Sequence, residues 1–555
     1  MRAEDQGHGA YATPIAIGLP PLRDATLVDR RRFLRDGAVA IAALSVPALA
    51  GCGASATRPS VRSAIRTAKS MAPPGAAAWR SLARSLSGSL VLPSDRGYAT
   101  ARELFDPRFD VARPAAIAYC ASPVDVQRTV DFARVHGIRP IPRCGGHSYG
   151  GYSTGSGLVI DVTRMSTVKV TPAQKGSPAT ANVGAGTRLV DLYGALSRAG
   201  VLVPGGSCPT VGISGLALGG GIGVLARKYG LTCDATRAVK IVTADGRLLT
   251  CDGAAEPNLY WASRGGGGGN FGVVTSFTFA AHPVPELTLF TVDWPWAAAR
   301  DVLGGWIQWQ REAPDELWSN CQLLSAGSSG LLVRSSGVLV GSTGTLSSLV
   351  SRLVSTVGSP PSSKFVGGPD PYLDVMLVEA GCESKSVAEC HLPSQNPAGV
   401  LQRSAYAATS AYVSKPLPSA GLAAAAGAVE ELHAEQPGLG GGLAFDAYGG
   451  VINRVPAEAT AFVHRDTICA IQATLTWGSV PSGSAFVAGR GWLSTTAKAL
   501  APYTNGGAYQ NYIDPELVDW QRAYYGSNLK RLSSVKRAYD PDNVFHFPQS
   551  IPLHA

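Results

Sequence analysis

Arg143-Cys144-Gly145-Gly146-His147-Ser148-Tyr149-Gly150-Gly151 is followed about sixty residues later by Gly205-Gly206-Ser207-Cys208-Pro209-Thr210-Val211-Gly212-Ile213-Ser214-Gly215, and these two segments decide the fold. The second runs on into Gly219-Gly220-Gly221-Ile222-Gly223. Glycine at this density lets backbone N–H groups approach a phosphate where a side chain would block them. A dinucleotide fingerprint fits poorly, because Val224 stands where its third glycine belongs and no clear strand precedes it. A P-loop fails as well, since no Gly-Lys-Ser/Thr follows. Nicotinamide binding is therefore weakly supported.

Outward from these segments the chain reads as short strands and helices. Residues 114–120, 138–142, 157–162 and 273–279 are strand-like, and 239–243 with 247–251 flank Asp245-Gly246 as a hairpin. Ser122-Pro123-x-Asp125 opens a helix that stops near Gly137. Thr187 to Gly200 is amphipathic, with Leu189, Leu192, Tyr193 and Leu196 on one face. Residues 111–283 thus have α+β character. After Pro283-Val284-Pro285 the composition shifts, and five of the ten Trp residues fall between 294 and 318. Residues 284–500 are read as a second domain, and 501–555 as a tail denser in Tyr, Asn and Asp. The Ala-rich stretch in the 420s fits a helix.

The formal charge of +9 is unevenly spread. Residues 1–100 hold 13 Lys/Arg against 6 Asp/Glu, which leaves 35 against 33 of the totals of 48 and 39 for residues 101–555. The body is near neutral, which argues against a nucleic-acid-binding face. Arg30-Arg31-Arg32-Phe33-Leu34-Arg35, the uncharged Gly37–Ala50 and Leu49-Ala50-Gly51-Cys52 have the order of an export signal over residues 1–51. The stretch is similar to a twin-arginine signal ending in a lipobox, with Cys52 as the lipidated residue. Residues 52–110 are read as a tether and the start of the first domain. Arg58, Arg62, Arg66 and Lys69 recur there at helical spacing and suit either anionic headgroups or solvent. Fourteen apolar-region residues are too few to span a bilayer, and no later segment spans one.

Arg-x-Gly-Gly-His-Ser, Gly-x-Cys-Pro-x-Val-Gly-x-x-Gly and the tail motifs occur in a fixed order. The tail reads Tyr509-Gln510-Asn511-Tyr512-Ile513-Asp514, then Trp520, Tyr524-Tyr525-Gly526, Tyr539-Asp540-Pro541 and Gln549-Ser550-Ile551. The set resembles the berberine bridge enzyme-like branch of the vanillyl-alcohol-oxidase (PCMH-type) flavoproteins over roughly residues 110–555. The resemblance implies a two-part FAD-binding domain, an α+β substrate domain built on an antiparallel sheet, and a C-terminal segment that returns to the FAD domain. It implies FAD joined through its 8α-methyl to His147 and through C6 to Cys208. Neutral imidazole and thiolate are the nucleophiles suited to such bonds. Arg143, Cys144, Gly145, Gly146, Ser148, Tyr149, Gly206, Ser207, Gly212, Gly215, Gly219, Gly220, Gly221, Gly223, Val273 and Asn511 are expected around the cofactor. Val211 matches a position beside the flavin face that oxygen reaches, where valine resembles the oxygen-reactive members.

Tyr509 is the expected base, and Asp446 resembles the carboxylate that activates it in the family's oligosaccharide oxidases. Other members carry a Glu seven residues before the tryptophan matching Trp477. Ala470 stands there, which leaves Gln472 as the neighbouring polar candidate for substrate contact. The implied reaction is oxidation of an alcohol or sugar lactol, with O2 reduced to hydrogen peroxide. The alternatives are a membrane-anchored dehydrogenase serving a quinone or protein carrier, a natural-product tailoring enzyme, and a flavin-binding surface protein. The Trp residues at 294–318 are read as either stacking platforms or core. Cys382 and Cys390 are the expected disulfide in an oxidising compartment. Neither Cys-x-x-Cys nor His-x-x-x-His occurs, so no metal site is expected.

Overall fold

The computed structural model describes residues 74–436 and 438–555. The export-signal features, the basic residues 58–69 and the Cys52 lipidation site lie outside the described residues.

Two small sheets build the first part. Ser89–Val91, Ala116–Tyr119, Leu158–Asp161 and Pro140–Arg143 lie side by side in that order. The last three pair in parallel, and Leu158–Asp161 at their centre is buried along its whole length. Burial on both faces explains why these strands read as unbroken apolar runs. The Pro123–Val135 helix connects the first two parallel strands. Ser122 caps it by accepting from the Asp125 N–H, with Pro123 in the first turn. The second sheet is antiparallel, in the order Val168–Thr171, Thr180–Gly184, Val273–Ala280, Thr236–Val242, Leu248–Cys251. Its last two strands are the hairpin foreseen around Asp245-Gly246. The amphipathic helix runs Leu189–Arg198 and buries all four residues of its expected face.

The change in composition at Pro283–Pro285 falls between this sheet and a larger one. Seven antiparallel strands lie in the order Ser363–Asp370, Leu287–Trp294, Leu331–Val340, Leu317–Ala326, Gly440–Ala447, Cys469–Trp477, Ala405–Val413. Side chains alternate across it. Leu443, Phe445, Ile471 and Ala473 belong to the main core. The helices Ala299–Arg311, Thr343–Val357, Ser419–Glu435 and Gly483–Leu500 pack with one another and with these strands. The Ala-rich 420s form the third of them. Ala444, Asp446, Ala470 and Gln472 alternate with those core residues and take the opposite face.

Four of the five tryptophans at 294–318 resolve into core, while Trp296 is half-buried and donates to Glu430. Trp294, Trp306, Trp309 and Trp318 are buried, and the first three donate their indole N–H to Ser359 O, Ser319 Oγ and Leu349 O. Each is used to fill the space between sheet and helices, so none of the four offers a stacking platform.

The tail returns to the first part. Lys536, fully buried on the Leu529–Tyr539 helix, donates to Asp540, to Asn270 O and to Phe545 O. Asn270 in turn accepts from the Ile551 N–H. Two chain segments more than 250 residues apart are thereby locked around one ammonium group. No helix among the described residues is long and apolar enough to cross a membrane.

Candidate active site

The glycine segments meet backbone to backbone. A Cβ at Gly145 would collide with Gly212 N and Thr210 O, so the two loops can lie this close only with glycine there. Together with Gly267–Asn270 and the tail they line a cleft of about 260 Å3. Gly215 borders the cleft and has no protein atom within 4 Å of a built Cβ, so the space in front of it is the cleft itself.

His147 and Cys208 both line this space. His147 is stacked on Phe105 at 4.2 Å between ring centroids, and its Nε2 lies 2.8 Å from Thr210 Oγ1. Its Nδ1 is buried with no partner. Burial, helped by the charge of Arg188, pushes the imidazole pKa down to about 3, so the ring is neutral at physiological pH. A neutral ring with one nitrogen fixed and the other without a partner has a nitrogen lone pair suited to nucleophilic bonding. Of the other expected contacts, Cys144, Gly145, Gly146, Ser148, Tyr149, Gly206, Ser207, Val211, Gly212, Val273 and Asn511 all line the cleft. Arg143 does too, but its guanidinium is tied to Asp161 at 2.6 Å and to Ala101 O, which makes it a brace for the loop. The Cys144 thiol donates to Ala185 O, and burial raises its pKa to about 11.

Gly219, Gly220, Gly221 and Gly223 sit one layer back from the expected position. A Cβ at Gly219 would overlap the Asn511 side chain, and one at Gly223 would overlap Gly205 O. Their bareness serves close packing of this turn against the tail and the neighbouring loop. Gly221 also acts directly: its N–H donates to Tyr509 Oη at 2.8 Å, and Asn511 Nδ2 donates to the same oxygen at 2.9 Å. Burial raises the Tyr509 pKa to about 12, while these donors and the Ile222 N–H pull against the rise. Two donors converging on one phenol oxygen favour its anionic form.

Gln472 donates to the Tyr149 hydroxyl at 3.0 Å and leaves its Oε1 buried and unpaired. Tyr149 stacks on Tyr512 and meets Tyr406 edge-on, forming an aromatic wall over the cleft. Asp446 is buried on the Gly440–Ala447 strand, and burial raises its pKa to about 7. Its charge acts on Tyr149, Tyr448 and Tyr512, whereas the Tyr509 hydroxyl takes its hydrogen bonds from Gly221 and Asn511.

Sequence reading passed over several participants. Phe105 and Thr210 hold His147, the charge of Arg188 adds to the burial that keeps it neutral, and Glu379 is a buried carboxyl whose pKa burial and then the charge of Asp446 raise. Gly265–Gly269 carries a usable signal, since five consecutive glycines meet the same argument as the other two loops. The other four have no motif. The expected Cys382–Cys390 disulfide is formed. No cluster of metal-ligating side chains occurs among the described residues.

Comparison with known proteins shows the family. The FAD binding domain family matches residues 114–252 and the berberine and berberine-like family matches 508–552. The uncharacterized FAD-linked oxidoreductase YgaK of Bacillus subtilis is 33% identical over 472 residues, covering 84% of this chain and 97% of that protein. Berberine bridge enzyme-like 7 of Arabidopsis thaliana is 30% identical over 475 residues, covering 77% and 82%. Among solved structures, wild-type BBE-like 1 of Physcomitrella patens superposes with a TM-score of 0.76 at 32% identity, covering 86% of this chain and 99% of that one. A xylooligosaccharide oxidase from Myceliophthora thermophila in complex with xylobiose gives 0.75 at 25% identity, covering 86% and 99%. With a glycine-lined cleft, a tail folded back over it and these relatives along nearly their whole length, the chain belongs to the berberine bridge enzyme-like family of FAD-linked oxidoreductases.

Proposed function

We propose that the protein is an oxidase that removes hydride from a C–H group of an alcohol or sugar lactol, using FAD held covalently at both His147 and Cys208, with O2 as acceptor and hydrogen peroxide as product. The observation that carries this reading is the convergence of His147, Cys208 and the Tyr509 hydroxyl on one cleft. The neutral His147 ring leaves Nδ1 as the atom available for a covalent bond. FAD, when bound, supplies the hydride acceptor and the route for electrons to oxygen.

The protein's own part is positioning and proton handling. Tyr509 receives the proton of the substrate hydroxyl, and the Gly221 and Asn511 donors stabilise the phenolate this requires. Asp446, whose pKa burial raises to about 7, is a second titratable group whose charge acts on Tyr149, Tyr448 and Tyr512. Val211 borders the cleft and leaves its side small and apolar, which suits access by oxygen. The position of Gln472 behind Tyr149 makes it an orienting group for that wall. Export and attachment through Cys52 belong to the same reading, supported by the disulfide at Cys382–Cys390.

The test is a panel of sugars, phenols and alcohols added without oxygen and scored by flavin bleaching, followed by admission of air. Bleaching by a hydroxyl-bearing substrate and reoxidation within the turnover time support an oxidase. Bleaching followed by slow reoxidation would instead favour a dehydrogenase that passes electrons to a carrier.

A further inference from the structure

His147 and Cys208 sit on separate loops, and one distant segment reaches the supports of both. Cys382 and Cys390 are fully buried and closed by their disulfide. Val387, inside that closed loop, seats on the Leu189–Arg198 helix: a Cβ built at Gly194 would meet its Cγ2 at 3.2 Å. His391, next to Cys390, is 2% exposed. Its Nδ1 donates to Val387 O at 2.8 Å, and its Nε2 lies 3.1 Å from Asp191 Oδ2 in the first turn of the same helix. That turn holds the Cys208 loop, since the Leu189 and Val190 N–H groups donate to Val211 O and Pro209 O, each at 3.0 Å. The first N–H groups of a helix have no acceptor within it, so here the loop supplies one and is fixed to the helix in return.

The same segment continues to the other loop. The Leu401 N–H donates to His391 O, which folds the chain back on itself. Leu392 shares one apolar cluster with Phe105 and Tyr406. Arg403 then donates to Leu104 O at 2.7 Å and forks onto both carboxylate oxygens of Asp110. Leu104 lies against Gly146, where a Cβ would stand 3.3 Å from its Cδ2, and the Phe105 N–H donates to Gly146 O. Phe105 is also the ring on which His147 stacks.

We propose that residues 382–403 form a strap that positions the two flavin-attachment loops separately, His391 acting on Cys208 through Asp191 and its helix, and Arg403 acting on His147 through Leu104 and Phe105. The purpose of the strap rests on the reading of FAD held covalently at both residues, whereas the strap itself rests on these contacts. Neither His391 nor Arg403 lines the cleft, so both are positioning residues. A bond between a side chain and a ring carbon needs its atoms held near contact, and a displacement of about 1 Å can cost about 10²-fold in rate. Each attachment therefore depends on its own support. The disulfide closes the turn that presents Val387 and His391, so it belongs to the Cys208 arm.

Mass spectrometry of the acid-denatured, proteolysed holoenzyme reads which peptide carries flavin. His391→Leu should raise the species linked through His147 alone by about tenfold or more over wild type, and Arg403→Met should do the same for the species linked through Cys208 alone. Asp191→Asn and Asp110→Asn change half-buried partners of these two residues and repeat the test should the larger changes prevent folding. Cys382→Ser with Cys390→Ser should follow the His391 pattern. A merely structural segment would weaken both links together, and that result overturns the proposal, as does a wild-type ratio in every variant. Hydrogen exchange of the same proteins needs no covalent bond. The Leu189 and Val190 amides should exchange faster in the His391 and Asp191 variants, and the Phe105 amide in the Arg403 and Asp110 variants, by about tenfold, the usual effect of losing one charged hydrogen bond. Wild-type exchange at all three amides, or an equal rise at all three in every variant, overturns the strap. If wild type carries no doubly linked flavin, the bicovalent reading falls while hydrogen exchange still decides the strap.

Discussion

At the scale of single residues, the account turns on how burial sets charge. His147 is kept neutral, and Tyr509 is kept protonated but surrounded by donors that welcome its anion. In the proposed reaction, Tyr509→Phe removes the proton acceptor and nothing else of comparable size. Its kcat should fall by about 10²–10⁴-fold, the usual worth of a general base, with flavin content unchanged. Rapid-reaction measurement of flavin bleaching checks this, and near-normal bleaching would remove Tyr509 from the mechanism. Asn511→Leu deletes one of the two donors to the phenol oxygen. It should slow bleaching by about 10²-fold at most while raising the pH at which rate is gained, since the phenolate loses support. That these two side chains meet was legible because the Tyr-x-Asn-Tyr-x-Asp order sets them two residues apart. Glu379 was not legible: a lone acid at a helix end has no pattern, and only the fold buries it.

At the scale of elements, local rules held where they were strong. The proline after Ser122, the turn at Asp245-Gly246 and the apolar face of Leu189–Arg198 each determined an element, with ends displaced by a residue or two. The glycines of 219–223 were legible as close approach but not as approach to what. Their neighbours are the tail and the adjacent loop, contacts that arise from residues nearly 300 positions away. The tryptophans show the same limit, because a helical or strand face has no sign saying which layer it meets. Gly145→Ala puts a methyl group into the facing loop backbone. We expect poor flavin incorporation with the fold retained, read as the absorbance ratio of flavin to protein. The Cys382–Cys390 loop closes only seven intervening residues. Loop-closure entropy then predicts that Cys382→Ser with Cys390→Ser costs about 2–3 kcal/mol, measurable by chemical denaturation.

At the scale of the whole molecule, charge and pH connect the parts. The near-neutral body conceals several ionisable groups with displaced titrations. Asp446 and Glu379 hold their protons to a higher pH in the fold than in the unfolded chain. Their contribution to stability is therefore complete below the ordinary carboxylate range near ~4 and is lost as pH rises through about 7 and 8. Thermal unfolding of Asp446→Asn should accordingly gain on wild type at pH 8.5 and match it at pH 4. A gain confined to acid pH would contradict the assignment. The overall architecture was legible from three motifs in order, because each fixes a contact with the same cofactor site. The central claim remains that one flavin is bound to this chain at two points. Mass spectrometry of the acid-denatured, proteolysed holoenzyme tests it most directly. The account predicts a single flavin-bearing species that joins the peptide containing His147 to the peptide containing Cys208, with the colour staying in the precipitate. A colourless precipitate, with both peptides at their unmodified masses and free FAD in the supernatant, would contradict it.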